Sequence, residues 1–580
     1  MKRSTALPIL ALLASCSSTQ RPAPQPQPQP EVTQAPQPEA PRPLHVEVPQ
    51  PGPARDVHLP AIRRTALANG LEVNLVEYHT LPVLHARLLV RAGSASDPAN
   101  LPGLASFTGD MLKEGTRRHT SAQFAEAIEF VGGNLSVSTG PDSTVISVSV
   151  LKDHADTAFS LLAELLTEPT FPQTEIVKLR RRELDRLERM RTDPGWLSRR
   201  AFYAGVYPEG HPYARVDTTA EALNRLTRND LVNFHRARFV AGNMSLVVVG
   251  DVTPEALDPL LARTLNRVRR GTAPAPRFPA PATQTPSRRV VLVDRPHSAQ
   301  SVVRIGNPSL RRASDDFVPL SVANQVLGGG AASRLFMDLR ELRSLTYGAY
   351  ARTSDTVDVG TWFSSASVRT PATMDALHAL MRHLECLTTE PAPEAEMRQT
   401  LAYLVDSFPL SIETPGNVAD LISGLRLYGL PDDWYDTYRT RVQSVDAAAA
   451  QQTAARYIRP AEGVLVVVGT ADAEVSVGPA CAAAAALPQD ATFAQQITAC
   501  ATPAPDAPPR ATMQLQEALR VFGPVRVVNH QTGAVERELT AVTSDSPALS
   551  PPIHARCEEL AAPALQRVAH PAGEAPRTGH

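Results

Sequence analysis

The residues to weigh first are those that could hold a metal, attack a substrate or carry a lipid. His119, His154 and His211 each lack a second histidine four residues away, the spacing that sets two imidazoles on one helix face for zinc. His211 lies in Gly210-His211-Pro212-Tyr213 and reads as a turn or buried histidine. Five cysteines are present. Cys16 follows Lys2-Arg3, an apolar stretch from Ala6 to Ala14 and the small residues Ala14-Ser15, the layout of a secretory signal peptide. Cys481 and Cys500 bracket CAAAAALPQDATFAQQITAC, and a disulfide between them suits an oxidising compartment, although connectivity is not fixed by sequence. The Arg-rich stretch Lys178 to Arg191 is either a basic binding surface or a solvated helix face.

Those residues need a scaffold, and the 580-residue chain has room for several domains. A composition of 43% hydrophobic and 20% charged residues is globular. A formal charge of -2 excludes nucleic acid as the main partner, because phosphate binding wants a basic excess. The excess among the 53 prolines sits in segments that do not build a core. Residues 1–15 read as the signal peptide, with an apolar run about half of the ~20 residues a membrane span needs. Leu13-Ala14-Ser15-Cys16 resembles the bacterial lipobox, in which the chain is cut before the Cys and the Cys is lipidated. Ser17 in place of Asp favours the outer membrane, facing the periplasm, by resemblance to lipoprotein sorting. Residues 16–56 form a Pro/Gln-rich polyproline stalk.

Beyond the stalk the sequence repeats. Glu168-Pro169 and Glu390-Pro391 close similar helical segments 222 residues apart, and SLVVVG ending at Gly250 returns as VLVVVG ending at Gly469, 219 residues on. One unit used twice is the simplest reading: residues 57–272 and 289–547, joined by a Pro-rich linker at 273–288. The second copy carries an insertion at about 474–510, and 548–580 reads as a disordered Pro/Ala-rich tail. Strand patterns at Gly70 to Val76 and Val83 to Val90, a hairpin over Asn134 to Val150 and helical periods at Gly103 to Glu114, Ser121 to Val131, Lys152 to Leu166 and Pro172 to Met190 predict an α+β fold. Each of the two tandem homologous domains is then a largely antiparallel sheet packed with helices.

Arg91-Ala92-Gly93-Ser94, PGLASFTGDMLKEGT from Pro102, Gly-His-Pro-Tyr at 210–213, Gly250-Asp251 and LGGGAASRLFMDLRELRSLTYGAY from Leu327 together resemble the pitrilysin/insulinase family of zinc metallopeptidases, the inverzincins. The resemblance covers about 60 to 545. It implies a helix bearing H-x-x-E-H, two zinc ligands and a general base. The matching places hold Ser106, Gly109 and Asp110. The third ligand of the family, a Glu about 77 positions after the second His, falls on Leu187, with Glu188 one residue away. The resemblance therefore implies a degenerate motif, with no metal and no cofactor in this chain.

The family's second half supplies an Arg and a Tyr that hydrogen-bond the substrate carbonyl as it becomes an oxyanion. Arg340 and Tyr347 match, with Arg343 as an alternative Arg; their structural reading is a helix C-terminal cation and a strand residue. Gly328, Gly329 and Gly330 either approach a peptide backbone or make a tight turn. Gly133 to Thr139, with Asn134 at its start, corresponds to the edge strand that binds peptide by strand addition, a role that backbone groups alone can fill. The pattern resembles the non-catalytic chain of two-chain bacterial forms. It implies an H-x-x-E-H-bearing homologous partner that carries zinc, peptide substrates and an envelope location with a lipid anchor in the membrane. Two further readings stay open: a structural or peptide-binding envelope lipoprotein, and an active zinc metalloendopeptidase with a relocated metal site.

Overall fold

The repeated apolar runs become the central strands of two sheets. A computed structural model of the chain describes residues 57–279 and 287–479 throughout, and parts of 483–565. The signal peptide, Cys16, the stalk and Cys481 lie outside the described residues. In the first half β1 (Arg63–Ala66), β2 (Glu72–Glu77), β3 (Val83–Val90), β4 (Asn134–Thr139), β5 (Thr144–Leu151) and β6 (Met244–Gly250) pair in the order β1-β2-β6-β3-β5-β4. The second half contains β7 (Arg289–Asp294), β8 (Gln300–Pro308), β9 (Thr346–Thr353), β10 (Thr361–Arg369), β11 (Val464–Gly469), β14 (Val525–Asn529) and β15 (Val535–Leu539), ordered β15-β14-β7-β11-β8-β10-β9. A small pair, β12 (Glu474–Ser476) and β13 (Thr512–Gln514), closes the base of the insertion.

The order β2-β6-β3-β5-β4 is repeated as β7-β11-β8-β10-β9. In both copies the first pair is parallel and the others are antiparallel. The predicted α+β fold with two homologous units is thus borne out. β6 and β11 are buried along their whole length, which explains why they read as unbroken valine runs rather than alternating ones.

What covers those valines ties the halves together. The helix Pro194–Val206 of the first half packs on β8 and β11, placing Phe202 among Val464, Val466 and Val468. The helix Pro415–Tyr428 of the second half packs in turn on β3 and β6. Pro194-Gly195 and Pro415-Gly416 lie 221 residues apart and open equivalent helices, so the exchange is reciprocal. Each buried large side chain in these seams contributes ~1.5–3 kcal/mol, and neither half covers both faces of its own sheet.

The C-terminal reading needs correction. Within the stretch that composition marks as a disordered tail, Cys557 is disulfide-bonded to Cys386 of the helix Thr373–Thr389. Ala555, Leu560 and Leu565 are buried with Phe493 of the insertion helix Phe493–Ala501. A handful of apolar side chains and one cross-link suffice to order a segment whose composition is otherwise that of a linker. Cys500 is also disulfide-bonded.

Candidate functional site

The degenerate motif lies on the helix Leu104–Met111. Asp97 starts this helix by accepting hydrogen bonds from the backbone amides of Gly103 and Ala105, both at 2.7 Å. Gly103 has φ 92°, and a Cβ there would come within 2.4 Å of Thr218 Cβ, so only glycine fits. The helix buries Leu104, Ala105, Phe107, Thr108, Gly109 and Met111. Ser106 is exposed and Asp110 half-buried, one turn apart on the open side.

The donor set at these positions does not fit zinc. Ser106 borders a cavity of about 480 Å³ shared with Arg186, Asp217, Tyr203 and Tyr207 of the first half and Ser354–Thr356 of the second. At Gly109 a Cβ would stand 3.0 Å from Thr139 Oγ1 and 3.3 Å from Val137 Cγ1, so β4 packs closely on the helix there. Leu187 is 5% exposed within the core of the first half. Glu188 is turned outward to Arg191 at 3.3 Å. Arg186, next in the row, is held by Asp217 through two hydrogen bonds of 3.0 and 2.7 Å. Asp110 alone is left, and one carboxylate does not make the three-ligand site that zinc chemistry uses.

No relocated site replaces it among the described residues, where no cluster of three or more His, Cys, Asp or Glu side chains has metal-binding geometry. His211 is buried, accepts a hydrogen bond from the Tyr213 amide at Nδ1 (3.1 Å) and stacks on Tyr207 at 4.4 Å. His119 pairs with Glu164 at 2.9 Å. Both are structural.

Asp110 is half-buried on the helix Leu104–Met111. Burial, reinforced by the charge of Glu183, raises its carboxyl to about 6. A folded-state value above the unfolded one means that the native state binds the extra proton between about pH 4 and 6, so stability falls as pH rises through that window. Asp110→Asn is therefore expected to raise stability by about 1–3 kcal/mol at pH 7.5 and to give no gain below pH ~4. Urea unfolding at both pH values checks this.

The other predicted residues surround β9, the outermost strand of the second sheet. The π-helical turn Phe336–Leu342 carries Arg340, whose guanidinium lies 4.6 Å from the Phe336 ring and 4.9 Å from the Tyr347 ring. Tyr347 begins β9 and is 86% exposed. These two are brought together on the surface, and neither borders the cavity at Ser106. The alternative, Arg343, is buried and bound to Asp338 at 2.7 Å. Gly328 is occupied by packing, since a Cβ would come within 2.5 Å of the Ala351 amide as its helix crosses β9; at Gly329 a Cβ would meet Gln325. Gly330 has more space. β4 is the outermost strand of the first sheet, with Asn134 exposed at its start.

Comparison with known proteins decides the family. The family model described as insulinase (peptidase family M16) matches residues 73–202, and that of the peptidase M16 inactive domain matches residues 225–404. The chain belongs to the M16 peptidase family. Among its M16 relatives, an uncharacterized zinc protease of Mycobacterium bovis is 27% identical over 70% of this chain and 94% of its own length. A non-peptidase homolog, YmxG, of Helicobacter pylori is 25% identical over 64% and 85%. The crystal structure of a peptidase M16 inactive domain from Pseudomonas fluorescens superposes with TM-score 0.66 at 25% identity, covering 71% of this chain and 98% of that one. A protease structure from Helicobacter pylori gives the same TM-score at 20% identity, covering 71% and 100%. The sequence of this M16 homologue contains no H-x-x-E-H.

Sequence reasoning missed two parts of the site. Asp338, Arg343 and His383 form a buried network directly behind Arg340, and the Cys386–Cys557 bond closes behind them. The first joins residues 45 apart in sequence.

Proposed function

We propose that the chain is the non-catalytic subunit of a heteromeric zinc metallopeptidase that binds and degrades peptides in the cell envelope. The observation that carries this reading is a division of parts. The zinc positions hold Ser106, Gly109, Asp110 and Leu187, whereas Arg340 and Tyr347 stay paired and open to a second molecule beside β9. In this reading the partner bears H-x-x-E-H and holds the zinc. Arg340 and the Tyr347 hydroxyl donate hydrogen bonds to the substrate carbonyl as negative charge develops on it, and the open edge of β4 lines up extended peptide. Cys16 holds the pair at the outer membrane through its lipid, with the stalk as spacer.

The experiment is affinity capture of the full-length lipoprotein from detergent-solubilised envelopes of its native host. Recovery of a homologue carrying H-x-x-E-H supports the reading; recovery of this chain alone, as homodimers, refutes it. The open β4 edge also suits a peptide-binding envelope lipoprotein without enzymology, in which case Arg340→Ala leaves the phenotype unchanged.

A further inference from the structure

The π-helical turn Phe336–Leu342 shows one side to solvent and one to a clasp. Arg340 is on the outer side. On the inner side Asp338 is completely buried and accepts hydrogen bonds from Arg343 Nε (2.7 Å) and His383 Nε2 (2.9 Å). Burial works against the charge of Asp338, but Arg343 and then His383 outweigh it and hold the carboxyl at about 2. Arg343 in turn stacks over Phe493 at 5.1 Å. The Phe493 amide donates to Glu559 Oε1 (3.1 Å), two residues beyond the Cys557 cross-link to Cys386. Cys386 follows His383 by three residues on the same helix, so both project from one face. Two more ties hold the same segment: Arg382 Nε donates to the Ala555 carbonyl (2.7 Å), and the Ala562 amide donates to Glu396 (3.0 Å). Glu396 itself grips Arg334, two residues before the π turn.

A π turn is a strained, wide coil that persists where surrounding contacts over-determine it, and such turns gather at functional positions. Phe493 and the Cys557 segment lie outside both spans matched by the M16 family models. A segment outside the matched spans thus packs behind the turn that presents Arg340.

We propose that the insertion helix and the cross-linked C-terminal segment form a buttress that fixes Arg340 and Tyr347, with Asp338 as the positioning residue through which it acts. What the fixed pair is used for rests on the partner-subunit reading above; the buttress itself does not. A loose π turn leaves the Arg340 guanidinium free to leave the Tyr347 ring, and a donor that must be reordered in the transition state loses its advantage.

The test uses the full chain in three forms: Cys386→Ser/Cys557→Ser, Asp338→Asn, and Glu559→Ala, which cuts the link to the Phe493 amide at the surface and leaves the core intact. Amide hydrogen exchange of 336–347 is compared with that of 244–250 in the first sheet. Exchange across the π turn is expected to rise about tenfold or more in the cysteine and Glu559 variants, with 244–250 unchanged. With the catalytic partner present, kcat falls in all three while KM holds, a split that general destabilisation does not give. Unchanged exchange at 336–347 in folded variants overturns the buttress whatever the turnover. Raised exchange with unchanged kcat overturns the positioning role of Asp338. Raised exchange with no catalytic partner recoverable leaves the buttress standing and removes the partner-subunit reading.

Discussion

On the partner-subunit reading, Arg340→Ala is expected to lower kcat of a reconstituted two-chain peptidase about 10²–10³-fold, as loss of one preorganised oxyanion donor does, with KM within about twofold. The magnitude follows from what the residue is free to do. Among the described residues Arg340 pairs with one carboxylate, Glu341 at 3.3 Å, and both side chains are partly exposed, so the pair itself contributes ~0–1 kcal/mol. Truncation therefore removes little from the fold of this chain, and capture of the partner should be unaffected. A guanidinium already oriented against the Phe336 and Tyr347 rings meets a developing oxyanion without first being ordered, which confines its effect to the transition state. Tyr347→Phe removes only the hydroxyl and is expected to lower kcat in the same direction. Steady-state kinetics on a peptide substrate reads both. Turnover within twofold of the parent pair would falsify the role assigned to Arg340 and favour a scaffold.

The duplication was legible because central strands advertise themselves. SLVVVG and VLVVVG are buried on both faces, so each is apolar throughout apart from Ser245, which accepts a hydrogen bond from Asn74, and a run of that kind survives sequence drift. The motif positions were legible because Gly103, required by its left-handed backbone, and the apolar face of the helix Leu104–Met111 keep the register even where the ligands are gone. The helix exchange was visible in principle through Pro194-Gly195 and Pro415-Gly416, but an amphipathic pattern says that a helix buries a face and not which sheet receives it. The C-terminal segment was misread for a different reason. Prolines and alanines dominate its composition, while Cys557, Leu560 and Leu565 are its larger buried side chains, with Ala555 beside them. Cysteine pairing depends on which elements meet, and Cys386 and Cys557 lie 171 residues apart in sequence.

Glu396→Ala destabilises the protein by about 3–5 kcal/mol, the usual result of stranding a buried charge. Arg334 and Glu396 are each 2% exposed. Arg334 Nε approaches Glu396 Oε1 at 2.9 Å and Nη2 approaches Oε2 at 2.6 Å, so alanine leaves a guanidinium without water or partner. Replacing both residues, Arg334→Met with Glu396→Leu, removes the two desolvation costs along with their attraction and should recover most of that loss. Recovery stays incomplete for a reason specific to this chain. The Ala562 amide donates to Glu396 Oε1, and an orphaned buried N–H costs ~1–3 kcal/mol unless the segment lifts away to find water. Guanidinium unfolding of the two single variants and the double variant forms the cycle. A single-variant cost below 1 kcal/mol would show that solvent reaches the pair. Full recovery in the double variant would show that the C-terminal segment draws nothing from Glu396, leaving the disulfide and the apolar contacts to hold it.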